Sequence, residues 1–442
     1  MQLTNYEGAD LLFVEALLKQ HPDTNRDTLL ELLKTCNLSF VLEGINRWQS
    51  TMICERKDSY VQQSQRYVTM SRDGYTLPEL GEADRAKAEA LIAKVFALYE
   101  EMSQLKEAFK GRPKREHYRY GIPVEDARYI LPLAVKTNLS VATTGDKLLD
   151  WFRMMKRPED ALMFDDIRKA LLEVLPETVG KWMDTQNFSF ENQDILQQYY
   201  QNDLAKITPE EPVQLLRTFK EPELKAGLGS LTSTRAEAPS EVLESWGAEA
   251  AEKAKGVTKR VMSYGHTSVA EQCRTTFGMM FSLVTWHQQV RHRLPNTFRE
   301  SWNCLLTDEN RQPVVPPTVK EGGFAETYCA LVKEVQEFQR YLAQNYEGGV
   351  WRYFLLNCQQ VKIITSTNAR MDCGMLQERI CNNAQWEINR IAVLKLAELR
   401  KLSDILYQYA VPSCVYGACK EGKMTCGRAA EMRDRYRLKE EV

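Results

Sequence analysis

The segment Arg291-His292-Arg293-Leu-Pro-Asn-Thr-Phe-Arg-Glu-Ser301 contains an Arg-His-Arg triplet followed after seven residues by a serine. An earlier stretch, Arg56-Lys-Asp-Ser-Tyr-Val-Gln-Gln-Ser64-Gln-Arg66-Tyr67, has the same spacing between arginine and serine. Each follows an apolar segment, residues 277–290 in the later case and residues 38–45 in the earlier case. Two such blocks in one chain indicate an internal repeat.

Further blocks recur downstream at the same offset. Ala127-Arg128-Tyr-Ile-Leu-Pro is echoed by Val350-Trp-Arg352-Tyr-Phe-Leu-Leu. Sixteen residues after each arginine come Thr144-Gly-Asp146 and Asn368-Ala-Arg370, so the offset stays at about 225–240 residues, which is one domain length. A small, polar segment near residues 215–235 suits a boundary. We therefore predict a first copy at 1–220, a second copy at 221–430 and a charged tail at 431–442.

Periodicity predicts both helices and strands. Apolar residues recur every three to four positions in 86–110 and 384–410, which predicts amphipathic helices. Residues 130–141 and 353–367 are richer in β-branched and apolar side chains and are predicted strands. The mixture favours an α/β or α+β class.

Composition excludes several classes of function. The 442 residues carry 58 basic and 60 acidic side chains, so no global charge favours a nucleic acid polymer or an anionic membrane. The most apolar window, residues 277–286, is far shorter than the roughly 18–20 residues of a membrane helix. The first ten residues do not have the pattern of a signal peptide. An odd count of eleven cysteines argues for reduced thiols, and we expect a cytoplasmic protein.

The second copy concentrates groups that bind anions. Arg291 and Arg293 flank His292, and the planar fork of arginine suits phosphate. Gly265-His266-Thr-Ser268-Val-Ala-Glu271 adds a histidine, a hydroxyl and a carboxylate 26 residues earlier. Alone, the triplet would more often be a solvated surface feature and Gly-His-Thr-Ser a turn with a helix cap. The spacing to the other blocks favours a site for a nucleotide or dinucleotide.

These blocks resemble the flavin-dependent thymidylate synthases, whose signature is RHRxxSxNExSxRY. Residues 291–301 match the Arg-His-Arg…Ser frame without a gap, and residues 265–271 resemble the upstream Gly-His-x-Ser/Thr-x-x-Glu block. Asn368-Ala-Arg370, Arg379 and Ala384-Gln-Trp-Glu-Ile388 resemble a third block at the right spacing. In the first copy, the end of the signature and the Gly121–Pro132 block match. The resemblance covers most of the chain and implies two tandem copies of that fold, each a mixed sheet with long helices.

The resemblance implies an FAD enzyme that methylates dUMP at C5 to dTMP, with methylenetetrahydrofolate and NADPH as co-substrates and without a cysteine nucleophile. The expected catalytic residues are Arg379 and Arg352, and Arg379 is expected to polarise the uracil ring toward attack from C5. The residues expected to hold FAD are His266, Ser268, Glu271, Arg291, His292, Arg293, Asn368 and Arg370. The residues expected to contact dUMP are Gln62, Ser64, Arg66, Gln288, Arg291, Ser301, Arg352 and Arg379.

Each copy departs from the family pattern. The second copy has Arg299 where the family has Glu and Asn303 where it has the phosphate-binding Arg. In the first copy Cys54-Glu-Arg56 replaces the triplet, Thr144-Gly-Asp146 replaces Asn-x-Arg, and Met155 replaces the polarising arginine. The first copy nevertheless keeps Gln62, Ser64, Arg66 and Arg128, which are nucleotide-side residues.

The motif residues that one copy lacks are partly those that the other copy keeps, and family members build each site at subunit interfaces. We therefore expect one composite site, in which Gln62–Arg66 supplies the phosphate clamp and the second copy supplies flavin and uracil contacts. The alternative is a first copy that serves only as a scaffold. By the same analogy, the fused chain is expected to form a homodimer that imitates the family's tetramer.

Other interpretations stay open. The substrate or product could differ, as in a flavin-dependent transferase acting on dCMP or adding a hydroxymethyl group, and the chain could be a non-catalytic nucleotide-binding descendant. Cys414, Cys419 and Cys426 could be zinc ligands, but their spacing favours a structural tail without a metal. His287 could relay protons, although packing beside the site is the simpler interpretation.

Overall fold

The computed structural model describes residues 1–104, 117–190, 192–308 and 311–438. The first part of the chain contains, in order, β1 (Gln2–Glu7), α1 (Leu11–Gln20), α2 (Arg26–Leu33), β2 (Asn37–Asn46), α3 (Arg47–Cys54), β3 (Ser59–Gln62), α4 (Glu82–Met102), α5 (Val124–Ala127), β4 (Lys136–Thr144), α6 (Gly145–Met155), α7 (Ala161–Val174), α8 (Glu177–Thr185) and α9 (Asn192–Ala205).

The second part repeats the alternation of strands and helices. It contains β5 (Val213–Thr218), α10 (Pro222–Thr232), α11 (Pro239–Trp246), α12 (Ala250–Ser263), β6 (Arg274–Ser282), α13 (Leu283–Gln289), β7 (Asn296–Arg299), α14 (Cys304–Thr307), α15 (Pro317–Glu321), α16 (Ala325–Asn345), β8 (Gln360–Asn368), α17 (Ala369–Arg379), α18 (Trp386–Leu402) and α19 (Ala429–Tyr436).

The chain folds into two compact units that are not consecutive halves. The first unit comprises Met1–Ile195, Ser282–Arg293 and Ser301–Gln360, and the second comprises Leu196–Phe281, Leu294–Glu300 and Val361–Val442. Two segments that the repeat assigns to the second copy therefore belong to the first unit. The bounds 1–220, 221–430 and 431–442 stay a prediction about the repeat, and residues 439–442 lie outside the described part.

The sheet of the first unit has the order β1-β2-β4-β3, with antiparallel pairing throughout. Along β4, buried and exposed side chains alternate strictly, as expected of a sheet with one face toward the core. Phe40 of β2 pairs with Val141 of β4 and meets Trp151 of α6 edge to face, with ring centroids 5.7 Å apart. Helix α6 thus covers the buried face of this sheet.

The second unit has an equivalent sheet in the order β5-β6-β8-β7. Most side chains of β6 are buried, which explains the apolar run that the sequence shows there. Lys395 of α18 and Asp372 of α17 form a fully buried ion pair of 2.6 Å, and the second oxygen of Asp372 accepts a hydrogen bond of 2.8 Å from Thr367 of β8. This polar group joins both helices to the sheet.

Backbone hydrogen bonds join equivalent segments of the two sequence copies inside the first unit. Leu133 N–H donates to Leu355 O and Ala134 N–H to Tyr353 O, both at 2.8 Å. Asn357 N–H donates to Leu131 O at 2.9 Å. The first N–H groups of α3 and α13 likewise donate to residues that flank these segments, Val135 and Gln359. The second copy is therefore built into the first unit through its main chain.

The predicted class is confirmed, with two four-stranded antiparallel sheets and many helices. The helix predicted over 86–110 is α4, and its predicted end lies outside the described residues. The helix predicted over 384–410 ends at Leu402, because Ser403 is extended and its hydroxyl donates to Glu223 at 2.6 Å. The predicted strands begin later than expected, since residues 131–135 and 353–357 form the cross-copy pairing instead. No helix in the described ranges is long and apolar enough to cross a membrane.

We expect Lys395→Met to destabilise the protein by about 3–5 kcal/mol, because it leaves the buried Asp372 carboxylate without its cation. The measurement is the free energy of unfolding in urea. Lys401→Met is the matched control on the same helix, since Lys401 pairs with Glu398 at the surface. The control should change stability by less than about 0.5 kcal/mol. Equal effects of the two substitutions would contradict this role of the buried pair.

Candidate functional site

Helix α13 positions the Arg-His-Arg triplet in the first unit. Ser282 caps the helix by accepting a hydrogen bond of 3.2 Å from Thr285 N–H. The helix is buried from Leu283 to Gln288, and it ends in a turn in which Arg291 N–H donates to Gln288 O. The chain emerges at Arg291, whose side chain is exposed. The buried helix thus fixes the place of an exposed cationic segment.

A pocket of about 180 Å³ opens beside this segment. Its lining residues are Cys54, Tyr60, Val61, Gln62, His287, Val290, Arg291 and Arg293. Arg293 donates a hydrogen bond of 2.9 Å to Tyr60 O and lies 5.9 Å from the Tyr60 ring centroid. Within one compact unit, the walls of this pocket therefore come from both sequence copies.

The predicted clamp Gln62–Arg66 begins at the last residue of β3. Ser64 O accepts hydrogen bonds from the N–H groups of Tyr67 and Val68, so the clamp is a closed turn. Ser64 Oγ accepts a bond of 3.2 Å from Arg66 N–H, and Gln62 donates its side-chain amide to Ser50 Oγ. Arg66 is ion-paired with Glu125 at 2.7 Å.

Arg128 lies behind this turn and is buried. Its Nε–H donates to Glu125 O at 3.1 Å, while its Nη2 has no hydrogen-bond partner. Burial lowers the pKa of Arg128 to about 10, which leaves it charged at neutral pH. Asn357 holds the backbone here, because its amide donates to Arg128 O at 3.0 Å. Arg128 is therefore a buried cation near Arg66.

The equivalent arginine of the second copy, Arg352, has a different environment. Its guanidinium forms a buried ion pair with Asp160 and donates to Glu159 O at 3.1 Å. Its centre also lies 5.9 Å from the Trp48 ring. The sequence predicted a contact of Arg352 with the nucleotide, but it gave no signal for Asp160, which lies 192 residues away. Ser301 lies in the same unit and is half-buried.

The second unit brings together five of the residues predicted to hold the flavin. Ser268 and Glu271 lie on a short 3-10 segment, Thr267–Gln272, which His266 precedes, and all three are exposed. Glu271 forms an ion pair of 2.5 Å with Arg370, the second residue of α17. Asn368 caps that helix by accepting a bond of 2.9 Å from Met371 N–H. Polar groups of both signs thus face solvent at one helix N-terminus.

Arg379 lies at the last position of α17 in the second unit. Its side chain is largely buried and is 3.8 Å from the Glu378 carboxylate. Its carbonyl accepts a hydrogen bond of 3.0 Å from Asn389, which fixes the end of the helix.

In the described ranges, no three histidine, cysteine or acidic side chains are arranged to hold a metal ion, and this includes Cys414, Cys419 and Cys426.

Sequence reasoning missed Arg47, the first residue of α3. Arg47 is 2% exposed, and its Nε–H donates to His287 Nδ1 at 3.3 Å. An arginine directly before Trp48, inside a segment of otherwise apolar and uncharged residues, was the available signal. Periodicity gives no partner for it, because the two residues are 240 positions apart.

Comparison with known proteins agrees with the repeat. The model of the family described as "Thymidylate synthase complementing protein" matches this chain twice, over residues 15–179 and 214–403. Flavin-dependent thymidylate synthase of Clostridium tetani is 32% identical over 206 residues, which are 42% of this chain and 82% of that protein. The enzyme of the same name from Geobacter sulfurreducens is 32% identical over 184 residues, or 40% of this chain and 78% of that protein.

A relative from Pyrococcus furiosus, also named flavin-dependent thymidylate synthase, is 31% identical over 175 residues, which are 37% of this chain and 71% of that protein. Each of these relatives thus aligns with less than half of the chain, whereas the family model matches it in two places. The chain therefore belongs to the flavin-dependent thymidylate synthase family and carries two copies of its domain.

Proposed function

We propose that this protein is a flavin-dependent transferase that converts dUMP to dTMP, and that the nucleotide binds in the pocket of the first unit. The observation that carries the proposal is the shared lining of this pocket, which includes Gln62 of the first copy and Arg291 of the second. The flanking turn keeps Ser64 and Arg66, which the resemblance identifies as phosphate ligands. This shared lining supports the nucleotide side of the composite site that we expect from the complementary losses.

The charges around the pocket favour a ligand that carries a phosphate. Arg291 and Arg293 line it, and Arg66 and Arg128 lie at the turn next to it. A guanidinium can donate two parallel hydrogen bonds to a phosphate, which an ammonium group cannot match in geometry. Arg128 and Arg352 occupy equivalent positions in the two copies, and Arg352 is ion-paired with Asp160. We therefore propose that Arg128, and not Arg352, binds the nucleotide. Ser301 and Gln288 remain proposed contacts from the resemblance.

The donor set of the second unit fits FAD. His266, Ser268 and Asn368 offer neutral hydrogen-bonding groups, and Arg370 offers a cation at the positive end of α17. Bound FAD would supply the reducing equivalents for the methyl transfer, with NADPH and methylenetetrahydrofolate as co-substrates. The roles of Glu271, of Arg291–Arg293 with the flavin and of Arg379 with uracil are proposed on the resemblance.

The chain's own residues would bind and orient the nucleotide. Arg66 and Ser64 would hold its phosphate, and Arg291 would contact it from the pocket lining. Such fixed cations lower the barrier when they stabilise charge that develops in the transition state. Cys54, the cysteine in the lining, is not suited to act as a nucleophile. Burial raises the pKa of its thiol to about 12, in spite of Arg47, Arg291 and Arg293 nearby.

The direct test is an anaerobic incubation of FAD-loaded protein with NADPH, methylenetetrahydrofolate and dUMP, with products identified by mass spectrometry. Formation of dTMP supports the proposal. Reduction of the flavin with dUMP returned unchanged would refute it and turn attention to dCMP and to a hydroxymethyl product. A purified protein that takes up no FAD would instead indicate a non-catalytic descendant.

We expect Arg66→Ala to weaken transition-state binding for dUMP by about 2–4 kcal/mol, chiefly through a higher KM, because a partly desolvated phosphate contact is lost. Steady-state kinetics with varied dUMP measure the effect. Arg72→Ala is the control, since Arg72 pairs with Glu100 at the surface of the same unit. Its KM should stay within about two-fold of wild type. An unchanged KM for dUMP in folded Arg66→Ala would contradict the phosphate clamp and support the alternative that the first copy is only a scaffold.

We expect Cys54 to resist alkylation, because its thiol is protonated at pH 8. Iodoacetamide followed by peptide mass spectrometry should label the exposed Cys329 and Cys426 first. Cys54→Ala should retain dTMP formation within about three-fold, since no step depends on this thiol. Early labelling of Cys54 together with loss of activity in the folded variant would contradict this expectation.

A further inference from the structure

A closed set of hydrogen bonds fixes the His287 ring in the first unit. Arg47 Nε–H donates to His287 Nδ1 at 3.3 Å, and His287 Nε2 lies 2.7 Å from Thr51 Oγ1. The Thr51 hydroxyl donates its proton to Arg47 O, also at 2.7 Å. His287 Nε2 must therefore carry the proton, and Nδ1 must be the acceptor. Both ring nitrogens are engaged, so this arrangement favours packing over a proton relay.

The environment keeps this imidazole neutral. Burial holds the pKa of His287 well below its usual value, and Arg47, Arg128 and Arg291 lower it further. A neutral ring can accept the Arg47 bond, whereas an imidazolium would repel it. The histidine thus sits among three arginines without adding a fourth positive charge.

Arg47 and Arg128 are cations whose hydrogen-bonding capacity is only partly used. Arg47 is 2% exposed and Arg128 4% exposed, and neither forms an ion pair within the described ranges. Arg47 Nη1 and Arg128 Nη2 have no hydrogen-bond partner. The charges of Glu125 and Asp126 act on Arg128, but the Glu125 carboxylate is paired with Arg66, and the Asp126 carboxylate accepts a hydrogen bond of 2.7 Å from Thr318. Burial and the charges of Arg128 and Arg291 lower the pKa of Arg47 to about 9, which leaves it protonated at neutral pH.

Buried, like-charged neighbours with unused donors are costly, and an oxyanion relieves both costs at once. Arg352 Nε also lacks a hydrogen-bond partner, but Asp160 supplies the counter-charge of that guanidinium. A purely structural arginine would be expected to have such a partner. His287 also lines the pocket with Arg291, which places the Arg47 bond directly behind the pocket wall.

We propose that Arg47, oriented by His287 and Thr51, is a further phosphate-binding residue that acts with Arg128 on the phosphate of the nucleotide. The proposal rests on the proposed function for the identity of the nucleotide. A phosphate oxygen would accept from Arg47 Nη1 and Arg128 Nη2. In this arrangement Arg47 is the binding residue, and His287 and Thr51 are positioning residues.

The test compares three probes: dUMP, deoxyuridine, which lacks the phosphate, and inorganic phosphate. Calorimetry and thermal shift are run on the full chain without turnover. Arg47→Met should weaken dUMP binding about ten- to a hundred-fold and abolish the phosphate-induced thermal shift. Deoxyuridine affinity should be unchanged. Arg72→Met is the matched control and should leave all three signals as in wild type.

Two outcomes would overturn the proposal: unchanged dUMP affinity in folded Arg47→Met, or an equal loss of dUMP and deoxyuridine binding, which marks a structural role. If Arg47→Met does not fold, His287 variants carry the test. His287→Asn keeps an acceptor for Arg47, whereas His287→Phe removes it. The Asn variant should therefore bind dUMP more tightly than the Phe variant. An equal loss of dUMP affinity in the two variants would refute the positioning role of His287. Wild-type protein that shows the Arg47-dependent phosphate shift but binds no dUMP would refute the proposed function and leave Arg47 as an oxyanion ligand.

Discussion

The first unit depends on backbone pairing between residues 131–135 and 353–357, which occupy equivalent places in the two sequence copies. These groups are buried, and buried N–H and C=O groups must find partners. Each segment satisfies the other, so neither copy could fold in this way alone without unpaired main chain. The same pairing fixes where α3 and α13 begin, since both helices donate their first N–H groups to its flanks. The mixed pocket lining follows from this constraint.

The degenerate triplet of the first copy has a structural use in the same unit. Glu55, in the triplet, accepts a hydrogen bond of 3.0 Å from the Trp286 indole of α13. Arg56 lies 3.6 Å from the Asp150 carboxylate. Glu55 thus anchors α13, the helix that precedes Arg291, whereas Arg56 pairs within its own copy. The position at which the first copy departs from the family's triplet therefore provides a contact between the two copies.

The family, the internal repeat and the fold class could be predicted from the sequence, because they depend on the order of motifs and on the periodicity of apolar residues along the chain. It could not give the ends of several elements. Helix α18 stops at Ser403 because a tertiary bond to Glu223 competes with helix continuation, although apolar residues recur further on. It also could not give the partners of buried charges. Asp160 contacts Arg352 and His287 contacts Arg47, across 192 and 240 residues of sequence, and no local pattern predicts such pairs.

The buried arginines show two solutions to one electrostatic problem. Moving a guanidinium out of water costs several kcal/mol of hydration free energy, and pairing with an anion must offset this cost if the arginine is to be retained. For Arg352 the anion is Asp160, a permanent partner that stabilises the fold whether or not ligand is bound. For Arg47 and Arg128 an external anion would supply the compensation, so ligand binding and stability of the first unit become coupled. At a hundred times its dissociation constant, a ligand of the folded state adds about 2.7 kcal/mol. A carboxylate placed beside Arg47 would give that stability permanently, and it would do so by competing with the phosphate.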